Sequence, residues 1–209
     1  MIIKNAKGDF MKFFKENSYD IVKIYITQIG IAIFSFMLAS GAGMISPDSS
    51  VSKPLQLILS IFSFGFFYAL LFYSAWEWGA KDKIRMDAGR LSGNSLKGLY
   101  MGLFANVPNI VLTVIAIISY AVCLGGANTF FGGVGGVCSI IYRFTANMYH
   151  GTVQACFSFL KDGGTNILFL FVEAIAFLAF SLLSILALQV GYVLGIKKSN
   201  LFGKKRKYE

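Results

Sequence analysis

Charge is scarce in this chain: 14% of its 209 residues are charged against 56% hydrophobic, and the mean hydropathy is +0.66. A soluble domain of that length needs more polar surface. Catalytic signatures are missing as well. There is one histidine, His150, and it has no HExxH context; there is no P-loop, no G-x-S-x-G elbow and no Cys/His set with metal-ligand spacing. These absences leave no expected catalytic, cofactor-binding or metal-binding residue, and the chain reads as a non-enzyme. A hydrolase or transferase at the membrane interface, using His150 with Arg143, is the residual enzyme reading, although one histidine on a polar helix face is more often only solvated.

Cysteine is equally sparse. Cys123, Cys138 and Cys156 sit in apolar settings and read as small buried hydrophobes. Cys138 and Cys156 share one side of the membrane in the threading below, so a disulfide between them is open but unsupported. No Asn-x-Ser/Thr sequon is present, and Lys207-Tyr208-Glu209 is not a prenylation signal. Both absences agree with a bacterial cytoplasmic membrane.

What charge there is has an ordered placement. The net charge is +9, yet the cations cluster at the ends of apolar runs and not on a polar domain, which argues against nucleic acid as a partner. They set orientation and attract anionic lipid headgroups. The organising interval runs from Trp76 to Gly98, with Lys81, Lys83, Arg85, Arg90 and Lys97 between two long apolar stretches. Loops rich in Lys and Arg stay cytoplasmic, and the two tryptophans, Trp76 and Trp78, mark headgroup depth.

Threading follows from that loop. Residues 1–20 interleave Lys4, Lys7, Lys12 and Lys15 with Phe10, Met11, Phe13 and Phe14, the pattern of a short basic helix lying on the inner surface. Ala39-Ser40-Gly41-Ala42 offers a signal-peptidase site, but the approach is too long for a usual signal, so an uncleaved helix is expected. Transmembrane spans are expected at about residues 21–45, 55–76, 99–123 and 166–196, each long enough to cross a core of about 30 Å. Residues 77–98 form the cytoplasmic loop and 124–165 an outer segment. With Lys197, Lys198, Lys204, Lys205, Arg206 and Lys207 placed inside, only Lys53, Arg143 and Lys161 of the nineteen basic residues fall outside. Both termini are cytoplasmic in this scheme. The fold class is all-α: one integral membrane four-helix bundle with an outer Gly-rich segment and an amphipathic helix.

That outer segment opens with Gly125, Gly126, Gly132, Gly133, Gly135 and Gly136, which predicts a flexible or tightly turned stretch. A helix over about 137–160 follows. On it Arg143, Asn147, His150, Gln154, Ser158 and Lys161 recur every three or four residues and share a face. Arg143, Asn147, His150 and Gln154 are the candidate outer polar face. The helix lies in the outer interface or forms a shallow re-entrant element.

Within the spans, polar residues are few. Asn106 and Asn109 flank Pro108, which removes a backbone donor and bends the third span. Glu173 is the one acid well inside an apolar span, a functional candidate by default. Its penalty of about 2.5 to 3.5 kcal/mol is outweighed by a dozen or so surrounding apolar residues at roughly 0.3 to 0.6 kcal/mol each. The structural reading pins Glu173 to the outer segment, with Arg143 as the first partner to examine. Asn106, Asn109, Glu173 and Gln189 form the candidate intramembrane polar site; Gln28 and these amides otherwise serve as helix glue. Gly98 with Gly102, and Gly191 with Gly195, are small-xxx-small pairs that let helices approach closely.

WEWGAKDKIRMDAGR followed by LKGL, and the ending GYVLGIKKSNLF with its basic tail, resemble the layout of small uncharacterised polytopic membrane proteins of Gram-positive bacteria. The resemblance implies four helices and a bacterial membrane, and brings no activity with it. Two functional expectations remain. The first is an accessory subunit of a membrane complex, docked through its basic inner loop and tail to another membrane protein. The second is a small carrier or channel, acting as a homo-oligomer, with a polar path through Asn106, Asn109, Glu173 and Gln189.

Overall fold

The computed structural model describes residues 2–45, 49–90, 96–126, 129–161 and 166–197. All secondary structure among them is helical: α1 (Ile2–Ile45), α2 (Ser49–Asp87), α3 (Lys97–Leu124), α4 (Thr129–Ala146), α5 (His150–Phe157) and α6 (Asn166–Ile196), with single 3-10 turns at Asn147–Tyr149 and Ser158–Lys161. Ser46-Pro47-Asp48-Ser49-Ser50, ending near Lys53-Pro54, reads as a short polar turn, but α2 already begins at Ser49; residues 46–48, the tail beyond Lys197, and the side chains of Lys4, Lys7, Lys12, Lys53, Ser158 and Lys161 lie outside the described residues.

Four stretches are long and apolar enough to cross a membrane: Phe13–Gly41, Pro54–Asp87, Lys97–Leu124 and Ile167–Ile196. Their seams are built from small and polar residues. On α2 the buried stripe is Ser60, Ser63, Phe67, Leu71, Ala75, Gly79 and Asp82; on α1 it is Asn17, Ile21, Ile24, Gln28, Ala32 and Ser35. Large apolar side chains point outward instead, among them Ile58, Ile61, Phe62, Phe66 and Leu186. In water such a surface would aggregate; in lipid, tails cover it and helices associate through close packing and hydrogen bonds. The chain is an all-α, multi-pass membrane protein.

α6 is the hub, seated between α2 and α3. A Cβ on Gly195 would come within 3.0 Å of Gly79 Cα on α2, and one on Gly98 of α3 within 2.8 Å of Tyr192 Cβ on α6. The two small-residue pairs therefore both pack onto neighbours, with Gly79 as a further member. At this end Asp82, buried on α2, accepts from Lys97 Nζ (2.8 Å) and Tyr192 Oη (3.0 Å), and Gln189 Oε1 accepts from the Leu99 N–H (2.8 Å). We call this the basic end and the opposite one the far end.

Three local expectations are corrected. The interval 77–98 is not a loop throughout, because α2 runs on to Asp87. Glu77–Lys81 and Lys83–Asp87 are ion pairs at i,i+4 (both 2.7 Å) that support the extension. It stops in a Schellman cap: Arg90 N–H bonds Arg85 O, Gly89 N–H bonds Met86 O, and Gly89 takes the left-handed φ of 69°. Residues 2–20 are not a separate surface helix but the first part of the continuous α1. The glycines at 132–136 are helical, since α4 starts at Thr129. Their purpose is packing: a Cβ on Gly135 would lie 2.8 Å from the Tyr120 ring of α3.

The helix expected over 137–160 is broken. α4 runs back along α3 from the far end, with Tyr120 Oη 2.5 Å from Ser139 Oγ and Thr145 Oγ1 donating to Asn109 Oδ1 at 2.7 Å. Ala146 then leaves the helical region (φ −139°, ψ 31°), the Asn147–Tyr149 turn reverses the chain, and α5 climbs back beside α2. Tyr149 stacks on Phe180 at 4.7 Å. Phe180 lies fourteen residues beyond Asn166, about 21 Å down α6 at 1.5 Å per residue, so the reversal reaches roughly half the depth of the bundle. This is a re-entrant helical hairpin and not an interfacial helix.

A candidate ligand cleft at the far end

Backbone irregularity at membrane depth survives only where its polar groups find partners inside the protein. Ser60 of α2 supplies them. Its Oγ donates to the Met148 carbonyl (2.5 Å), accepts from the Thr152 N–H (3.1 Å) and lies 3.0 Å from Thr152 Oγ1. Gly151 makes this approach feasible, because a Cβ there would lie 2.8 Å from Ser60 Cβ and 2.9 Å from the Gln56 carbonyl.

The break also aims the polar residues of the hairpin. Arg143, Asn147, His150 and Gln154 line one cavity of about 500 Å³, closed on its other sides by Ala32, Ser35 and Phe36 of α1 and by Gln56, Leu59 and Ser60 of α2. The sequence pattern placed the four polar residues on one face; what it did not reveal is that α1 and α2 complete a pocket around them. The lining on those helices is mostly serine, alanine and leucine, which occur throughout apolar spans and carry no signal of their own.

Behind this wall stands Glu173, fully buried on α6 and seven residues from its start. Its Oε1 accepts from Arg143 Nε at 3.0 Å and its Oε2 from Arg143 Nη2; Oε1 also lies 2.9 Å from His150 Nδ1. Gln154 Nε2 lies 2.7 Å from His150 Nε2. One carboxylate thus fixes two donors from two half-helices. Arg143 keeps 32% of its side chain exposed and His150 26%, while Glu173 keeps none, so the cleft meets the donors and not the acid. Of the five guanidinium N–H groups, two are used on Glu173. His150, expected to be merely solvated, is instead held in place by Glu173.

The candidate intramembrane site does not converge. Asn106 Nδ2 donates to its own helix at Gly102 O (2.9 Å), Asn109 bonds Thr145, and Gln189 bonds the Leu99 N–H at the basic end. Only Glu173 of that set bonds residues of the cleft wall, because the others bond locally or at other depths. α3 continues through Pro108 as one helix, Lys97–Leu124. The three cysteines are free thiols, Cys138 buried and Cys156 exposed, so no disulfide joins them. Among the described residues no group of three His, Cys, Asp or Glu side chains could hold a metal. The chain matches no family model, no curated protein and no solved structure.

Proposed function

We propose that the protein is a non-enzymatic membrane protein that takes a small polar solute into its far-end cleft and acts as a carrier, assembled with copies of itself or with a partner. The observation that carries this reading is the cavity of about 500 Å³ with Arg143, Asn147, His150 and Gln154 on one wall and the buried Glu173 behind them. A broken hairpin beside a polar cleft is also how transporters build sites near the midplane. The basic end faces the cytoplasm of a bacterial cell, by the distribution of Lys and Arg, so the cleft opens to the outer half of the membrane. The resemblance to small Gram-positive membrane proteins agrees with that setting.

A second reading, the accessory subunit, is supported by the helical extension of α2 past Trp78. It presents Lys81 and Arg85, exposed, as a rigid docking rod at the basic end.

Counterflow in reconstituted vesicles tests the carrier reading, using a panel of labelled organic acids, amino acids and sugars. At least one solute should exchange faster than in protein-free vesicles. Asn147→Leu combined with Gln154→Leu, which makes the neutral polar wall apolar, should abolish that exchange. Absence of counterflow across the panel would leave the accessory reading alone.

A further inference from the structure

The cleft has an uneven charge arrangement. Of the described residues that line it, Arg143 and His150 are the titratable ones and none is acidic. Among the described residues the compensating charge is Glu173, fully buried with both oxygens engaged by those two residues. Two cationic or potentially cationic groups therefore share one carboxylate. With His150 neutral the trio sums to zero; with His150 protonated it sums to +1, and an anion in the cleft restores neutrality. Histidine changes charge between about pH 5 and 8.

We infer that the cleft binds a singly anionic group, a carboxylate, sulfonate or phosphate diester, and that its binding is coupled to proton uptake by His150. The inference rests on the ligand-cleft reading above and names its ligand class. Geometry permits the coupling with no more than a turn of the Gln154 amide. Glu173 Oε1 accepts from His150 Nδ1–H in either charge state. At Nε2 the Gln154 amide donates to the neutral ring, or turns its oxygen to accept from the protonated one. Among the described residues, the charged groups facing His150 are Glu173 from α6 and Arg143 from α4; α2 contributes neutral Gln56 and Ser60, and α1 neutral Ser35 and Ser40. Tyr68 of α2 is committed to the Phe180 carbonyl (3.0 Å). The sign follows from these groups: an anion stabilises the protonated ring, so binding strengthens as pH falls.

The mouth adds a second trait. Ile33, Phe36, Ile140 and Phe144 line the cleft and are exposed. These side chains would take up an apolar tail attached to the anion.

Sulfonates test this, because they do not titrate in the histidine range. The purified full chain in neutral detergent is titrated calorimetrically with octanesulfonate, with methanesulfonate and with neutral octyl glycerol, at about pH 5.5 and about pH 7.5, each in two buffers of different ionisation enthalpy. For octanesulfonate the expected result is affinity about tenfold higher at the lower pH, with up to one proton taken up per ligand. His150→Gln should make affinity independent of pH, and the wild-type proton count stands as evidence even if that variant folds poorly. Preference for octanesulfonate over methanesulfonate assigns the anion to a membrane amphiphile; equal binding assigns it to a free solute, and either supports the inference. Octyl glycerol binding as tightly as the sulfonates, or sulfonate affinity independent of pH, overturns it while leaving the cleft reading intact. Binding of none of the three overturns the inference, and counterflow with the sugars and amino acids then decides the cleft reading separately.

Discussion

Glu173→Gln keeps the side-chain volume and removes one charge, so it isolates what the buried carboxylate does electrostatically. In the native chain Glu173 accepts from Arg143 through both oxygens and from His150 at 2.9 Å, with no exposure of its own. Removing one member of a buried ion pair costs about 3 to 5 kcal/mol, chiefly because the surviving charge is stranded. Arg143 is about a third exposed to the cleft and can recover some hydration, which lowers the expected loss to about 2 to 4 kcal/mol. Reversible unfolding in mixed micelles, followed by tryptophan fluorescence, measures it. Adding Arg143→Gln to the variant should restore much of that stability, because the stranded charge goes with it, and the two substitutions should couple by at least about 1 kcal/mol. A single variant as stable as the wild type, with additive effects in the double, would refute the charged anchor.

Other consequences are local. Gly195→Val places a side chain where Gly79 Cα and Ala80 N leave only 3.0 Å for a Cβ, and should cost about 3 kcal/mol by forcing α2 from α6; native stability in the same unfolding assay checks it. Ser60→Ala strips partners from the Met148 carbonyl and the Thr152 N–H. A loss of about 1 to 3 kcal/mol is expected, read as roughly 5- to 150-fold faster hydrogen exchange over residues 148–153; unchanged protection there contradicts the clasp. Asp82→Asn weakens the junction with Lys97 and Tyr192 and should loosen the start of α3, seen as faster exchange at Leu99 and Tyr100 than in the wild type.

Much of this architecture was legible in the residues. Four apolar runs of spanning length define the bundle, the recurrence of Arg143, Asn147, His150 and Gln154 defines a polar face, and Glu173, alone among the acids inside an apolar span, points to Arg143 as its partner. The extension of α2 carried a signal too, in the i,i+4 pairs Glu77–Lys81 and Lys83–Asp87, which the density of charge masked. The break at Ala146 had none: neither glycine nor proline lies between Arg143 and His150. It is a tertiary effect, set by Ser60 from 88 positions away in the chain bonding Met148. The Gly-rich start of α4 misled in the opposite direction, since glycine's low helix propensity yields to close packing on Tyr120. Asn106, Asn109 and Gln189 do not converge with Glu173 because each is taken by a different partner: Asn106 by its own helix at Gly102, Asn109 by the Thr145 hydroxyl, and Gln189 by the Leu99 N–H at the basic end.

The most direct test of the central claim is native mass measurement after gentle extraction from the source membrane, comparing the wild type with Arg143→Leu plus Glu173→Leu. That pair removes both charges and leaves the neutral polar lining of the cleft in place. The account predicts a small molecule bound to the wild type at fixed stoichiometry and absent from the variant, and fragmentation of that molecule would name the solute. A wild-type chain with an empty cleft, or a ligand kept equally by the variant, would contradict it.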